Sequence, residues 1–201
     1  MTPRSATRPA RERLLAAAGE LFYESGIAAT GVDAVLTRAQ VAPATMYAHF
    51  AGKDGLVAAY LEQRFEVWRQ TWDEVLAEHT DPVDRLLSVF DAVDRYRERE
   101  GSRRGCGFLA AATELPPDHP GQPWLQADSR LLTDRLRELA VAAGVDDPDE
   151  AAATVLLCYD GALARSAREW TTPGLHAGGP VQRARDLATG WLAQRGHTAA
   201  R

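Results

Sequence analysis

Residues 30–53, TGVDAVLTRAQVAPATMYAHFAGK, decide the fold. Val32, Val35 and Leu36 fall at i, i+3 and i+4, the turn Ala39-Gln40-Val41 interrupts the pattern, and Met46 and Phe50 form an i, i+4 pair that can bury beside them. The spacing predicts two short helices joined by a tight turn, with a third helix after Gly52: the outline of a helix-turn-helix. Pro43 suits the first turn of the second helix, where its missing N–H was unpaired in any case and its φ is already helical. Burying Met46 and Phe50 turns Ala44, Tyr47 and Ala48 outward. A short helix with so small and so little charged a face can enter a DNA major groove.

Outward from this stretch, helical periodicity continues and no alternating strand is visible. A first helix, about Thr7 to Ser25, ends at Gly26 and turns Leu14, Leu15, Ala18, Leu21 and Phe22 inward. After Gly52, a long helix carries Val57, Leu61, Phe65, Trp68, Trp72 and Val75 as one stripe, with Leu56 and Tyr60 off it and free to pack back on the head. Such a helix is a lever joining two cores. Asp81-Pro82 opens the next helix as cap and first-turn residue, with Val83, Leu86, Leu87, Phe90 and Val93 on one side. A short helix around Cys106 to Leu115 precedes residues 116–123, too rich in proline for regular structure, and Leu125, Leu132, Leu136 and Leu139 then form another stripe. Two last helices, near Asp149 to Trp170 and Pro180 to Arg195, flank a breaker-rich loop from Thr172 to Gly179.

Composition is that of an ordinary globular chain, 45% apolar and 25% charged over 201 residues. The net charge of -5 is unevenly spread: residues 1–60 hold six basic and five acidic side chains, the remaining 141 hold 17 and 23. A slightly positive head on an acidic body can bind DNA, because only charges within about a Debye length of phosphate matter. A general nucleic-acid coat protein would be more basic. Arg4, Arg8, Arg11 and Arg13 precede an apolar run of only Leu14 to Ala18, so no secretory segment fits, and the longest apolar window, Ala151 to Ala164, is broken by Asp160. The expectation is a cytoplasmic protein with no membrane association. Cys106 and Cys158 lack a ligand-spaced partner, and His79, His119, His176 and His197 are scattered and read as solvent-facing, so no metal site and no cofactor are expected.

The order glycine, threonine, apolar run, Ala-x-Val, then Met46-Tyr47-x-His49-Phe50-x-x-Lys53-Asp54-x-Leu56 resembles the tetracycline-repressor (TetR) family of one-component bacterial regulators, over roughly Arg11 to Leu61. Two positions depart from that pattern. Gln40 stands where glycine is common, and a non-glycine residue near the left-handed region costs about 1 kcal/mol. Ala42 stands where a serine often caps the recognition helix, a loss of about 1 kcal/mol. The resemblance implies an all-helical homodimer of about nine helices, with a helix-turn-helix domain over 1–51 and an effector-binding and dimerisation domain over 52–201. It places Phe65, Trp68, Trp72, Tyr96, Cys106, Phe108, Glu114 and Trp124 in helices around an effector cavity; aromatic walls with one carboxylate suit a flat apolar ligand. The last two helices mix large and small residues, among them Tyr159, Gly161, Ala162, Leu187, Ala188 and Trp191, which fits either a four-helix interface with a second copy or packing within one chain; the resemblance implies the former.

For DNA, Tyr47 and His49 can donate to phosphate oxygens, Thr30 can do so or cap its helix, and Lys53 adds positive charge beside a helix N-terminus. Sequence must be read by Thr45, by the Ala44 and Ala48 methyls against thymine methyls, or by the Tyr47 edge, with Arg38 and Gln40 nearby. The leading expectation is a transcriptional regulator, a repressor released from a palindromic operator by a small molecule. A helical scaffold that has lost operator binding is the alternative for which the departures at Gln40 and Ala42 speak. A thiol enzyme using Cys106 with Glu114 and His119 is the third, against which stands the lack of a phosphate loop, metal cluster or nucleophile elbow.

Overall fold

A computed structural model describes residues 9–101, 105–169 and 178–199, and these form nine α-helices and no strand. In chain order they are α1 (Ala10–Ser25), α2 (Val32–Ala39), α3 (Pro43–His49), α4 (Gly52–Glu78), α5 (Pro82–Glu100), α6 (Gly107–Glu114), α7 (Gln122–Ala142), α8 (Pro148–Arg168) and α9 (Gly179–Ala193). None of them is long and apolar enough to cross a membrane. Arg4, Arg8, Arg103, Arg104, Trp170, the loop from Thr172 and His176 lie outside the described residues.

The chain divides into two compact units, Met1–Phe65 with Gly107–Ala127, and Glu66–Cys106 with Asp128–Arg201. The first therefore takes in α6 and the opening of α7 as well as the head, and α4 contributes to both. In the first unit, Leu14, Leu15, Ala18 and Phe22 of α1 bury with Val35, Leu36, Met46 and Phe50, and α4 adds Leu56, Val57, Tyr60 and Leu61. The Phe22 and Tyr60 rings meet edge to face at 5.4 Å, so Leu56 and Tyr60 do pack back on the head. Leu21 is only half-buried. In the second unit, Trp68, Trp72 and Val75 of α4 meet the apolar faces of α5, α7, α8 and α9 in one core.

Two helix starts, those of α5 and α8, follow from side chains that satisfy free backbone donors. The Asp81 carboxylate accepts from Val83 N and Asp84 N, with Pro82 in the first turn, as the sequence predicts. Asp147 does the same for α8 by accepting from Glu150 N at 3.0 Å, which sets the start at Pro148 rather than Asp149. Helix α7 begins at Gln122, inside the proline-rich run, because Pro123 falls in a first turn that needs no N–H. Three histidines expected in solvent, His79, His119 and His197, are at least half-buried. His119 is buried, its Nδ1 accepting from Gly121 N at 2.9 Å and its Nε2 3.5 Å from Asp54 Oδ1; His79 is half-buried with Nε2 3.2 Å from Asp91 Oδ2. Both rings carry enough apolar surface to fill a gap while one nitrogen finds a polar partner.

Candidate nucleic-acid interface

The turn between α2 and α3 closes by two backbone bonds, Val41 N to Leu36 O at 3.1 Å and Gln40 N to Thr37 O at 3.3 Å. This is the Schellman pattern, and it requires a left-handed residue at its centre. Gln40 supplies it at φ 54°, ψ 49°, and among the described residues no other non-glycine residue has positive φ. Ala42 then caps α3 without a side-chain bond, its carbonyl accepting from Thr45 N and Met46 N, and Pro43 occupies the first turn. Phe50 ends the helix in an extended conformation.

The faces of α3 fall as predicted. Met46 and Phe50 are buried; Ala44, Ala48 and His49 are exposed; Thr45 is half-buried; and Tyr47 is 62% exposed, an unusual state for so large a ring. The short helix thus offers two methyls and a phenol on one face, with the His49 imidazole exposed to the side of it. Arg38 and Gln40 are exposed beside it, and Arg38 pairs with Glu20 of α1 at 2.6 Å.

Thr30 departs from expectation. It is 4% exposed, and its hydroxyl donates to Gly26 O at 2.7 Å and Leu21 O at 3.2 Å, so it neither caps α2, whose N-cap is Gly31, nor reaches outward. A buried hydroxyl must pair internally, and here it ties the α1–α2 loop to the end of α1. Lys53 is half-buried and donates to Ala28 O of that loop at 3.3 Å, one of the three hydrogens its ammonium can give.

The residues expected at an effector cavity fall into two groups. In the first unit, Phe65 and Trp124 are half-buried neighbours with ring centroids 5.8 Å apart, and Phe108 is buried. Glu114 points elsewhere: its Oε2 accepts from Ala28 N at 2.6 Å, and its carboxylate crowds Gly26, where a Cβ would sit 3.2 Å from Oε1. It is a loop anchor, because a carboxylate next to free backbone N–H groups pairs with them. In the second unit, Trp68 is the centre of an aromatic cluster, 5.8 Å from Trp72, 5.8 Å from Tyr96 and 6.0 Å from Tyr159, with Cys106 half-buried. Trp72 is wholly buried and its indole N–H donates to Ser88 Oγ at 3.1 Å, which makes it a core residue. The Trp68 indole N–H is buried and has no acceptor among the described residues.

Of the six residues expected at a dimer face, Tyr159, Ala162 and Ala188 are buried in their own chain's core, where burial also raises the Tyr159 phenol well above its ordinary pKa. Trp191 is half-buried under the Arg195 guanidinium, 3.8 Å from its ring. Gly161 and Leu187 are exposed, and with them Leu157, 75% exposed, which the sequence reading missed. Leu157 was legible: α8 buries positions 151, 152, 155, 159, 162, 163 and 166, and 157 and 161 lie off that face. These residues line a groove of about 450 Å³ between α8 and α9, floored by Cys158, Ala162 and Ala184 and edged by Arg165 and Arg183. Burial raises the Cys158 thiol pKa, so it is a poor nucleophile.

Residues 14–60 match the family model for bacterial regulatory proteins of the tetR family. A TetR-family transcriptional regulator of known structure from Streptomyces coelicolor is 29% identical with a TM-score of 0.80, covering 92% of this chain and 95% of that one. A second, from Streptomyces avermitilis, is 31% identical with a TM-score of 0.71, covering 90% and 98%. The HTH-type transcriptional regulator YjdC of Escherichia coli (strain K12) is 28% identical over 160 residues, 77% of this chain and 82% of its own. With the head matched in register and the likeness running through the whole length of a 31% identical relative, the chain belongs to the TetR family of transcriptional regulators.

Proposed function

We propose that the protein is a repressor that binds a near-palindromic operator as a homodimer and is released by a small apolar effector. The observation that carries this reading is the outer face of α3, where Tyr47 stands 62% exposed among Ala44, Ala48 and His49 with nothing of the protein's own core to serve. Tyr47, His49 and Lys53 then position the head on phosphates, and Thr45 with the two alanine methyls, Arg38 and Gln40 meets base edges. Thr30 acts behind them, by shaping the loop.

Leu157, Gly161 and Leu187 are the surface proposed to meet a second copy, which would bring two heads to half-sites about one helical turn apart. Trp68, Tyr96 and Cys106 are the residues proposed to face the effector, with the Trp68 indole asking for a hydrogen-bond acceptor on it. Release requires the effector to favour the DNA-free conformation by only a few kcal/mol. The reading involves no catalytic step, cofactor or metal, and a chromosome-bound regulator works in the cytoplasm.

The test is a gel shift against the gene's own upstream DNA at several salt concentrations, with Tyr47→Ala as control. A shift specific to one fragment and lost in the variant upholds the reading. Equal affinity for all duplexes in both proteins refutes it in favour of a scaffold.

A further inference from the structure

The left-handed residue between α2 and α3 is a glutamine, and something must hold it there. Arg13, on α1 and 26 positions before the turn, sends Nη1 to Ala39 O and Gln40 O, each at 3.1 Å. These two carbonyls are the end of α2 and the turn residue itself, where the helix dipole is negative and the Schellman closure leaves acceptors free. The backbone of Arg13 is held in α1, where its neighbours Leu14 and Leu15 are buried and its own N–H bonds Pro9 O at 3.1 Å, and its Nε is buried. A cation shared by two successive carbonyls favours the peptide orientations that belong to the left-handed conformation at Gln40. In a glycine-centred turn that orientation needs no such help.

We propose that Arg13 is the positioning residue of the DNA-reading head: by clamping the Ala39 and Gln40 carbonyls it holds the non-glycine turn, and so sets the angle at which α3 meets DNA. This rests on the reading of α3 as the DNA-contacting helix. Arg13 does not itself need to touch DNA, so its contribution belongs to specific binding and to the turn's stability, and leaves the phosphate-driven part of affinity alone.

The test is a double-mutant cycle between Arg13→Met, which keeps the apolar stem and removes the donors, and Gln40→Gly, which removes the strain together with the side chain proposed to meet a base edge. Affinities are measured for an operator selected from genomic fragments and for an unrelated duplex, over a range of salt, together with melting temperatures. Arg13→Met should lower operator affinity about tenfold, the size of one disturbed base contact, with unrelated-duplex affinity and salt slope unchanged. In the Gln40→Gly background the same substitution should cost about twofold or less, the non-additivity expected of residues that act through each other. Arg13→Lys, which restores a donor, should recover most of the loss.

An Arg13→Met loss of equal size in both backgrounds overturns the proposal. So does a salt slope lowered by about one with weakened binding to every duplex, since Arg13 would then be a phosphate ligand. If the unmodified protein selects no operator, the regulator reading fails on its own, and the melting temperatures decide the turn: a drop on Arg13→Met that Gln40→Gly cancels upholds the clamp, and equal drops in both backgrounds refute it.

Discussion

The backbone N–H of Ala28, in the loop between α1 and α2, donates to Glu114 Oε2 at 2.6 Å, across 86 positions of sequence. The same loop residue gives its carbonyl to Lys53 Nζ at 3.3 Å, so the loop is gripped on both sides of one residue. Glu114→Ala leaves the Ala28 N–H to water and should lower stability by about 1–2 kcal/mol, the low end for a charge-assisted bond in a half-exposed place. Glu114→Gln keeps an acceptor and should lose less. Denaturant titration of the three proteins checks this, and equal midpoints would mean that the anchor contributes nothing.

Thr30→Val tests the inward role of that hydroxyl. Its shape is kept while the Gly26 and Leu21 carbonyls lose their donor, so stability should fall by about 1–2 kcal/mol. The salt dependence of operator binding should stay as it was, because no phosphate contact is removed. A slope reduced by about one would return Thr30 to the DNA.

Phe50 closes the head's core beneath Arg11, whose guanidinium lies 5.6 Å from the ring centroid. Phe50→Ala should cost about 3–5 kcal/mol, seen as a lowered melting temperature of the whole chain or a separate early transition of the head. An unchanged melt would contradict its burial.

Leu187→Glu places a charge on the rim of the α8–α9 groove, where Leu187 is 51% exposed. Sedimentation should show a dimer for the unmodified protein and a monomer for the variant, at a chain stability changed by no more than about 0.5 kcal/mol within the monomer. A variant that sediments as the unmodified protein does would move the interface elsewhere.

What the sequence made legible was what depends on neighbours along the chain. The Met46 and Phe50 pair, the Asp81 cap, the Pro43 start and the Val57-to-Val75 stripe are all local patterns, and the structure has them, save that Phe65 within the stripe is only half-buried. What it withheld depends on which distant group arrives. Glu114 is a plausible cavity carboxylate until Ala28 is seen to lie against it, and Thr30 has a cap role and a phosphate role open to it until its hydroxyl is found facing Gly26 and Leu21. His119 reads as a loop histidine because nothing beside it in sequence foretells burial near Gly121 and Leu61, where a Cβ on Gly121 would come 2.9 Å from Leu61 and 3.0 Å from His119. Tyr159, Ala162 and Ala188 share helices with exposed positions, and only the turn of each helix against its neighbours separates the two sets.

The face of α3 is chiefly methyl and phenol, without an arginine, asparagine or glutamine of its own. Such a face meets a C5-methyl group rather than a hydrogen-bonding edge, and 5-methylcytosine carries that methyl at the same place in the major groove as thymine does. If α3 enters the groove as proposed, an enzymatic mark on cytosine would be read by Ala44 and Ala48 as though the letter had changed to T. Replacing a contacted thymine by cytosine should then weaken binding, and methylating that cytosine should recover part of the loss in the same gel shift. The regulator would in that way be open to the chromosome's methylation state through two alanines, with no residue set aside for the purpose.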